Sequence, residues 1–226
     1  MTNIVAVESD GYTYKGNFYE NSQYVNLNEK LGKDREIIIL GESILVKIYN
    51  LGENKDSLEK FVEDNIVKDF LIGDDLLFHY DFMKSIDKVY VYSIKKGIAV
   101  ERVIEGASSI SVVPIQFKIK DFINNKFKRC RNFISITKIR DMYYLINVED
   151  SFIVNGLVNE SIDIIFKELS KYMKINKEVI FDNSINVSDN MMSGMKTIKE
   201  IQYLKIGEAI NEKLFKKQKF YTKKLC

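Results

Sequence analysis

The sequence predicts an α/β protein of the α+β type, two-lobed and built on a duplicated β-β-β-α plan. Three observations carry that prediction. Short apolar or alternating runs, rich in Ile, Val, Tyr and Phe, come in groups separated by Gly, Asp and Asn. A longer stretch with apolar residues at helical spacing follows each group. The order of strands and then helix in residues 4–70 returns in residues 133–174.

Residues 4–7 form a short apolar run, and Gly11 and Gly16 punctuate the β-rich stretch 12–19. Residues 36–40 and 43–49 read as two strands, and Gly41-Glu42 between them reads as a hairpin turn. A helix over 58–70 follows, with Asp56 as its cap and Glu59 answering three residues on. Leu58, Phe61, Val62, Ile66 and Phe70 share one face of it. Gly73-Asp74-Asp75 is a turn, and residues 76–82 and 88–94 are paired strands. Pro114, the only proline, opens a second helix with Ile115, Ile119, Phe122 and Ile123 on its apolar face. After a basic segment, 126–131, residues 133–139, 142–148 and 152–157 form a meander with turns at Arg140-Asp141 and Glu149-Asp150. A third helix over 160–174 buries Ile162, Ile165, Phe166, Leu169 and Met173, and 178–181 is a short strand. A polar loop covers 182–194, and a last helix runs over 197–215.

The whole-chain balance narrows the function classes. At 226 residues with 46% hydrophobic and 29% charged content, the chain can bury one large core or two small ones. Lys and Arg number 34 against 32 Asp and Glu, so the chain lacks the basic excess of a protein that works by neutralising phosphates. No window approaches ~18 apolar residues, and the start lacks a basic segment leading into an apolar run, so neither a membrane span nor a secretory signal is expected. Two cysteines, Cys130 and Cys226, make no disulfide framework and fit a reducing compartment.

No motif of a common enzyme class is present: no Walker A, no Gly-x-Gly-x-x-Gly, no Cys-x-x-Cys, no His-Glu-x-x-His. His79, the only histidine, has no partner at a telling spacing and reads as a structural strand residue. Cys130, between Arg129 and Arg131, has cationic neighbours that favour a thiolate but no partner base. Asp74, Asp75 and Asp81 read as solvated carboxylates, not as a metal cluster. Residues 118–131 interleave Lys118, Lys120, Lys126, Lys128, Arg129 and Arg131 with Phe122 and Phe127. That mixture suits the solvated side of a helix, or a nucleic-acid surface that combines stacking with backbone neutralisation. The C-terminal stretch 215–226 sets Phe215, Phe220 and Tyr221 among Lys216, Lys217, Lys219, Lys223 and Lys224. This is the composition of a segment lying against the cytoplasmic face of a membrane, or of a plain solvated tail; those lysines and the exposed side of the 56–70 helix are the candidate contacts.

Residues 37–49 followed by 58–70 resemble the first half of PilM, the actin-like component of type IV pilus assembly, and of the related type II secretion protein GspL. Val113-Pro114-Ile115-Gln116-Phe117 resembles the family's proline-led joining helix. Residues 201–210, with the Gly207-Glu208-Ala209 step, resemble its final helix. The resemblance implies a ribonuclease-H-like, actin-like (ASKHA) fold, truncated relative to full actin-like ATPases, with lobes over 1–112 and 113–215 and a basic tail over 216–226.

It also implies where a nucleotide would sit, between two hairpin loops each carrying an Asp and a Gly, where backbone N–H groups approach phosphate. In the first loop Glu8 stands for the family Asp with Gly11 nearby, but Tyr12 and Tyr14 replace small residues. The second, Ile134-Ser135-Ile136-Thr137-Lys138-Ile139-Arg140, has neither Asp nor Gly, and its basic residues do not ligate Mg²⁺. The expectation is therefore a cytoplasmic scaffold at the inner face of the membrane that links a pilus or secretion ATPase to the inner-membrane platform. No catalytic residue, metal or cofactor is expected. The alternatives are an actin-like ATPase that binds Mg·ATP through degenerate loops, and a nucleic-acid module using residues 118–131.

Overall fold

The structure, a computed structural model, describes residues 2–52, 57–70, 75–127, 130–172, 177–186 and 201–215. Two tight turns organise the start of the chain. β1 (Asn3–Val7), β2 (Gly11–Tyr14) and β3 (Asn17–Glu20) form an antiparallel meander. Its second turn, Lys15-Gly16, has both residues left-handed at φ 50° and 75°, matching the twist of a two-residue hairpin. A short helix, α1 (Tyr24–Asn28), returns the chain so that β4 (Asp34–Ile39) lies parallel to β1.

The chain then leaves this sheet. β5 (Leu45–Asn50), α2 (Leu58–Asp69), β6 (Leu76–Met83) and β7 (Lys88–Lys95) build a separate antiparallel sheet of order β5-β7-β6. It carries its own small core of Val62 and Phe70 against Val89 and Val91. α3 (Gly97–Ile104) leads back, and β8 (Ser109–Pro114) closes the first sheet in the order β3-β2-β1-β4-β8.

α4 (Ile115–Lys126) follows without a loop, Pro114 ending the strand and holding the cap position. Then β9 (Phe133–Ile139), β10 (Met142–Glu149) and β11 (Phe152–Asn159) form the second meander. α5 (Ile162–Tyr172), β12 (Glu178–Asp182), β13 (Ile201–Leu204) and α6 (Ile206–Phe215) complete it. The second sheet runs β11-β10-β9-β12-β13, with β12 parallel to β9 as β4 is parallel to β1. The two sheets match strand for strand.

The lobes share one core. Val5, Ile37 and Ile39 of the first sheet belong to the same buried cluster as Ile139, Ile146 and Ile180 of the second and Ile206 of α6. α4 contributes Ile115, Ile119 and Ile123, each 0% exposed, to that cluster. Burial of one such side chain contributes about 1.5–3 kcal/mol. A second cluster, Ile165 and Leu169 of α5 on Ile134, Ile136 and Phe181, covers the outer face of the second sheet.

Several expectations are corrected. Residues 36–40 and 43–49 are not a hairpin, because β4 and β5 belong to different sheets. The helix over 58–70 is not the counterpart of α5 in the duplicated plan, since α2 serves the inserted sheet and the first lobe's counterpart is the five-residue α1. Ser57, whose hydroxyl accepts the Lys60 N–H at 3.2 Å, caps α2, while Asp56 lies outside the described residues, as do Gly73, Asp74 and Met173. The expected helix over 197–215 is divided, because residues 201–204 pair with β12 as a strand and α6 starts at Ile206. α1, α3 and β8 had no counterpart in the sequence reading.

Candidate functional site

In the duplicated plan the β1–β2 and β9–β10 hairpins are equivalent, and the core that joins the lobes brings them into contact. The first turn is closed by the Glu8 N–H donating to the Gly11 carbonyl at 2.8 Å. Gly11 is required there by packing, since a Cβ at that position would drive into the Tyr19 carbonyl of β3. The second is a two-residue turn, Arg140-Asp141, between the paired residues Ile139 and Met142. Arg140 takes φ 54°, a left-handed conformation that costs a side-chain-bearing residue about 1 kcal/mol.

That strained turn sends the Arg140 guanidinium across to the first hairpin. It forms an ion pair with the Glu8 carboxylate and donates to the Thr13 hydroxyl at 3.1 Å. Thr13, 2% exposed, donates in turn to Glu8 at 2.5 Å. Tyr144 on β10 stands beside this group, and its hydroxyl accepts the Gly41 N–H at 2.9 Å. Burial first, with the Glu8 and Glu42 carboxylates adding to it, pushes the Tyr144 phenol up to about 12.

α6 begins close by. Its Gly207 N–H donates to the buried Asp182 carboxylate, which also accepts from the Ser184 N–H at 3.0 Å. The helix N-terminus, a natural anion site, is therefore satisfied by the chain's own acid.

A second concave feature lies between the first sheet and the inserted one. A cavity of about 430 Å³ is floored by Ile44, Ile94 and Phe117 and rimmed by His79, Asp81 and Lys120. Two edge strands flank it: among the described strands, β8 and β6 each have one neighbour only. Val112 on β8 is 37% exposed and Ile110 45%, so the apolar surface continues beyond the cavity along that edge. His79 stacks on Tyr92 at 5.9 Å, and its Nε2 lies 3.4 Å from Asp81. The hydrogen bond from His79 chiefly holds the Asp81 carboxyl below the usual aspartate range, against the opposing effect of burial.

Of the residues singled out from sequence, Glu8 and Gly11 sit together in the hairpin cleft. Arg140, read from sequence as a turn residue and as one unable to hold a metal, is the partner that defines it. Thr13 and Tyr144 were missed. The signal that finds Arg140 is its charge, opposite to that of Glu8, at the equivalent turn of the duplicated plan. His79 is on a strand but exposed. Asp75 accepts the Ile98 N–H at the start of α3 at 3.1 Å and does not join Asp81. Cys130 donates to Glu178 at 3.0 Å, and Lys118 pairs with Glu36. Lys128 and Arg129, and the tail lysines Lys216, Lys217, Lys219, Lys223 and Lys224, lie outside the described residues.

No protein-family model and no curated protein matches the chain. Solved structures do match it. A Bacteroides thetaiotaomicron protein with an actin-like ATPase fold and unknown function aligns over 90% of both chains, with TM-score 0.53 and 12% identity. The fold is actin-like. A chain of a PilM–PilN type IV pilus biogenesis complex aligns over 87% of this chain and 79% of that one, with TM-score 0.54 and 10% identity. The cytoplasmic domain of EpsL, an inner-membrane component of the Vibrio cholerae type II secretion system, aligns over 80% and 81%, with TM-score 0.46 and 8% identity. In an actin-like frame the contact of the two hairpins is where Mg²⁺ and phosphate would be tested for fit. The residues present fit them poorly: the Glu8 carboxylate is already engaged by the Arg140 guanidinium and the Thr13 hydroxyl.

Proposed function

We propose that this chain is a non-catalytic, actin-like scaffold of a type IV pilus or type II secretion-like machine. It works at the cytoplasmic face of the inner membrane and links the assembly ATPase to the membrane platform. The observation that carries the reading is the ion pair between Arg140 of one hairpin and Glu8 of the other. It puts a fixed internal charge pair in the cleft between the lobes. The likeness in fold to a chain of the PilM–PilN complex supports the choice of machine.

The groove between β6 and β8 is the surface proposed to hold the platform partner. Two strand edges, each with a single neighbour among the described strands, offer backbone N–H and C=O groups to an added chain, and the apolar floor offers pockets for alternate side chains. The occupant this geometry suits is an extended segment of the platform protein. Neither bound nucleotide nor a metal has a role in this mechanism.

Co-purification tests it. The chain, tagged and expressed with the pilus or secretion operon of its own genome, is expected to retain the assembly ATPase and a platform protein. Val112→Asp, which charges the groove edge, is expected to lose the platform protein and keep the ATPase. Retention of neither partner by the unaltered chain refutes the scaffold; equal retention of the platform by Val112→Asp refutes the groove.

A further inference from the structure

Of the five residues that lead from β4 to β5, the last four, 41–44, are all tied to other parts of the molecule. Gly41 donates to the Tyr144 hydroxyl at 2.9 Å. The Glu42 carbonyl accepts from the Gln116 side chain at 2.6 Å, and its carboxylate pairs with Lys96 at 3.3 Å. The Ser43 hydroxyl accepts the Val158 N–H at 2.9 Å, and Ile44 donates to the Gly156 carbonyl at 3.0 Å. Tyr144, Gly156 and Val158 belong to the second lobe, Gln116 to the helix between the lobes, and Lys96 to the start of α3.

Ile44 also forms a single antiparallel bridge to Gly156, so this strap adds one rung to the outer edge of β11. The fit there is close: a Cβ on Gly156 would lie 3.4 Å from the Ile44 Cβ, and Ile44 is only 3% exposed. The Arg140–Glu8 pair is a second tie between the lobes, made through their hairpins. Of the groups in the strap's bonds, Tyr144, Gln116 and Ile44 are buried, where hydrogen bonds hold best.

We infer that the strap 41–44 and the Arg140–Glu8 pair lock the two lobes into one body. Hinge opening, the movement by which a two-lobed cleft admits and releases a ligand, is then absent from this protein's working state. The lock extends the scaffold reading, which benefits from fixed geometry between docking surfaces, but it is a statement about motion and can fail separately.

Spin-label distances test it on the full chain. Labels go on Val25→Cys of the first lobe and Ile164→Cys of the second, both exposed, with Cys130→Ser and Cys226→Ser. One narrow distance is expected, unchanged by millimolar Mg·ATP. Adding Glu8→Gln with Ser43→Ala is expected to broaden or split it while the chain still unfolds cooperatively. Should that pair fail to fold, Glu8→Gln alone carries the comparison. Two distances in the unaltered chain, or a shift with Mg·ATP, overturn the lock, and so does a released variant as narrow as the original. Stabilisation by Mg·ATP with an unmoved distance sinks the nucleotide-free reading of the scaffold and leaves the lock standing. A broad distance without nucleotide binding does the reverse.

Discussion

Replacing Arg140 probes the cleft most sharply, because the residue carries both an ion pair and a strained turn. In Arg140→Ala the Glu8 carboxylate loses its cation, while the Thr13 hydroxyl still donates to it at 2.5 Å. The side chains are 37% exposed for Arg140 and 14% for Glu8, so the pair lies between two limits. Exposed pairs contribute about 0–1 kcal/mol, whereas removing one partner of a buried pair costs about 3–5 kcal/mol. With one hydrogen bond kept and some solvent available, the expected cost is about 1–2 kcal/mol. For a chain of this size that lowers the unfolding midpoint by about 2–8 °C. Arg140→Gly removes the same contacts but relieves the left-handed strain at φ 54°, so it is expected to be the milder change by up to about 1 kcal/mol. The assay is urea unfolding of wild type, Arg140→Ala, Arg140→Gly, Glu8→Gln and the Arg140→Ala/Glu8→Gln double variant at equal m-value. If Arg140→Ala matches wild type, or the cycle shows no coupling between the two positions, the cleft is not held as described.

Three further outcomes follow from the geometry. Gly207→Ala, ordinarily stabilising in a helix by up to about 1 kcal/mol, should here destabilise by about 1–3 kcal/mol in thermal unfolding, because the new Cβ is driven into the Lys138 carbonyl. Tyr144→Phe leaves the Gly41 N–H without its acceptor and should cost about 1–3 kcal/mol by urea unfolding. Glu168 is held below the usual glutamate range, chiefly by the hydrogen bond from Lys171, with burial opposing. A carboxyl lowered on folding stabilises fully above its ordinary range and loses that contribution as pH falls through the lowered value. Glu168→Gln should therefore cost about 0.5–1 kcal/mol at neutral pH, a difference that vanishes in acid unfolding curves below the glutamate range.

The parts legible in the sequence were those fixed by local periodicity. The second meander, the β6–β7 pair and the apolar faces of α2, α4 and α5 follow from alternation and helical spacing, because each buries one face against a neighbour close in the chain. Sheet membership did not follow. Gly41-Glu42 has the composition of a hairpin turn, yet the chain there passes from one sheet to another, and only long-range pairing of β4 with β1 and β8 decides that. β8 was hidden because Ser109–Pro114 has one neighbour among the described strands and keeps exposed apolar residues, blurring the usual pattern. The hairpin cleft was half legible. The duplication located both turns, but the Arg140–Glu8 contact joins residues 132 positions apart and needs the shared core to bring them together.

The central claim, an actin-like frame working without nucleotide, is tested most directly by thermal unfolding of the chain in a titration with Mg·ATP. A ligand bound to the folded state at one hundred times its Kd adds about 2.7 kcal/mol, and in a chain of this size that raises the midpoint by about 5–10 °C. Millimolar Mg·ATP is expected to leave the midpoint where it is, for wild type as for Glu8→Gln. A saturable rise of several degrees in wild type would contradict it.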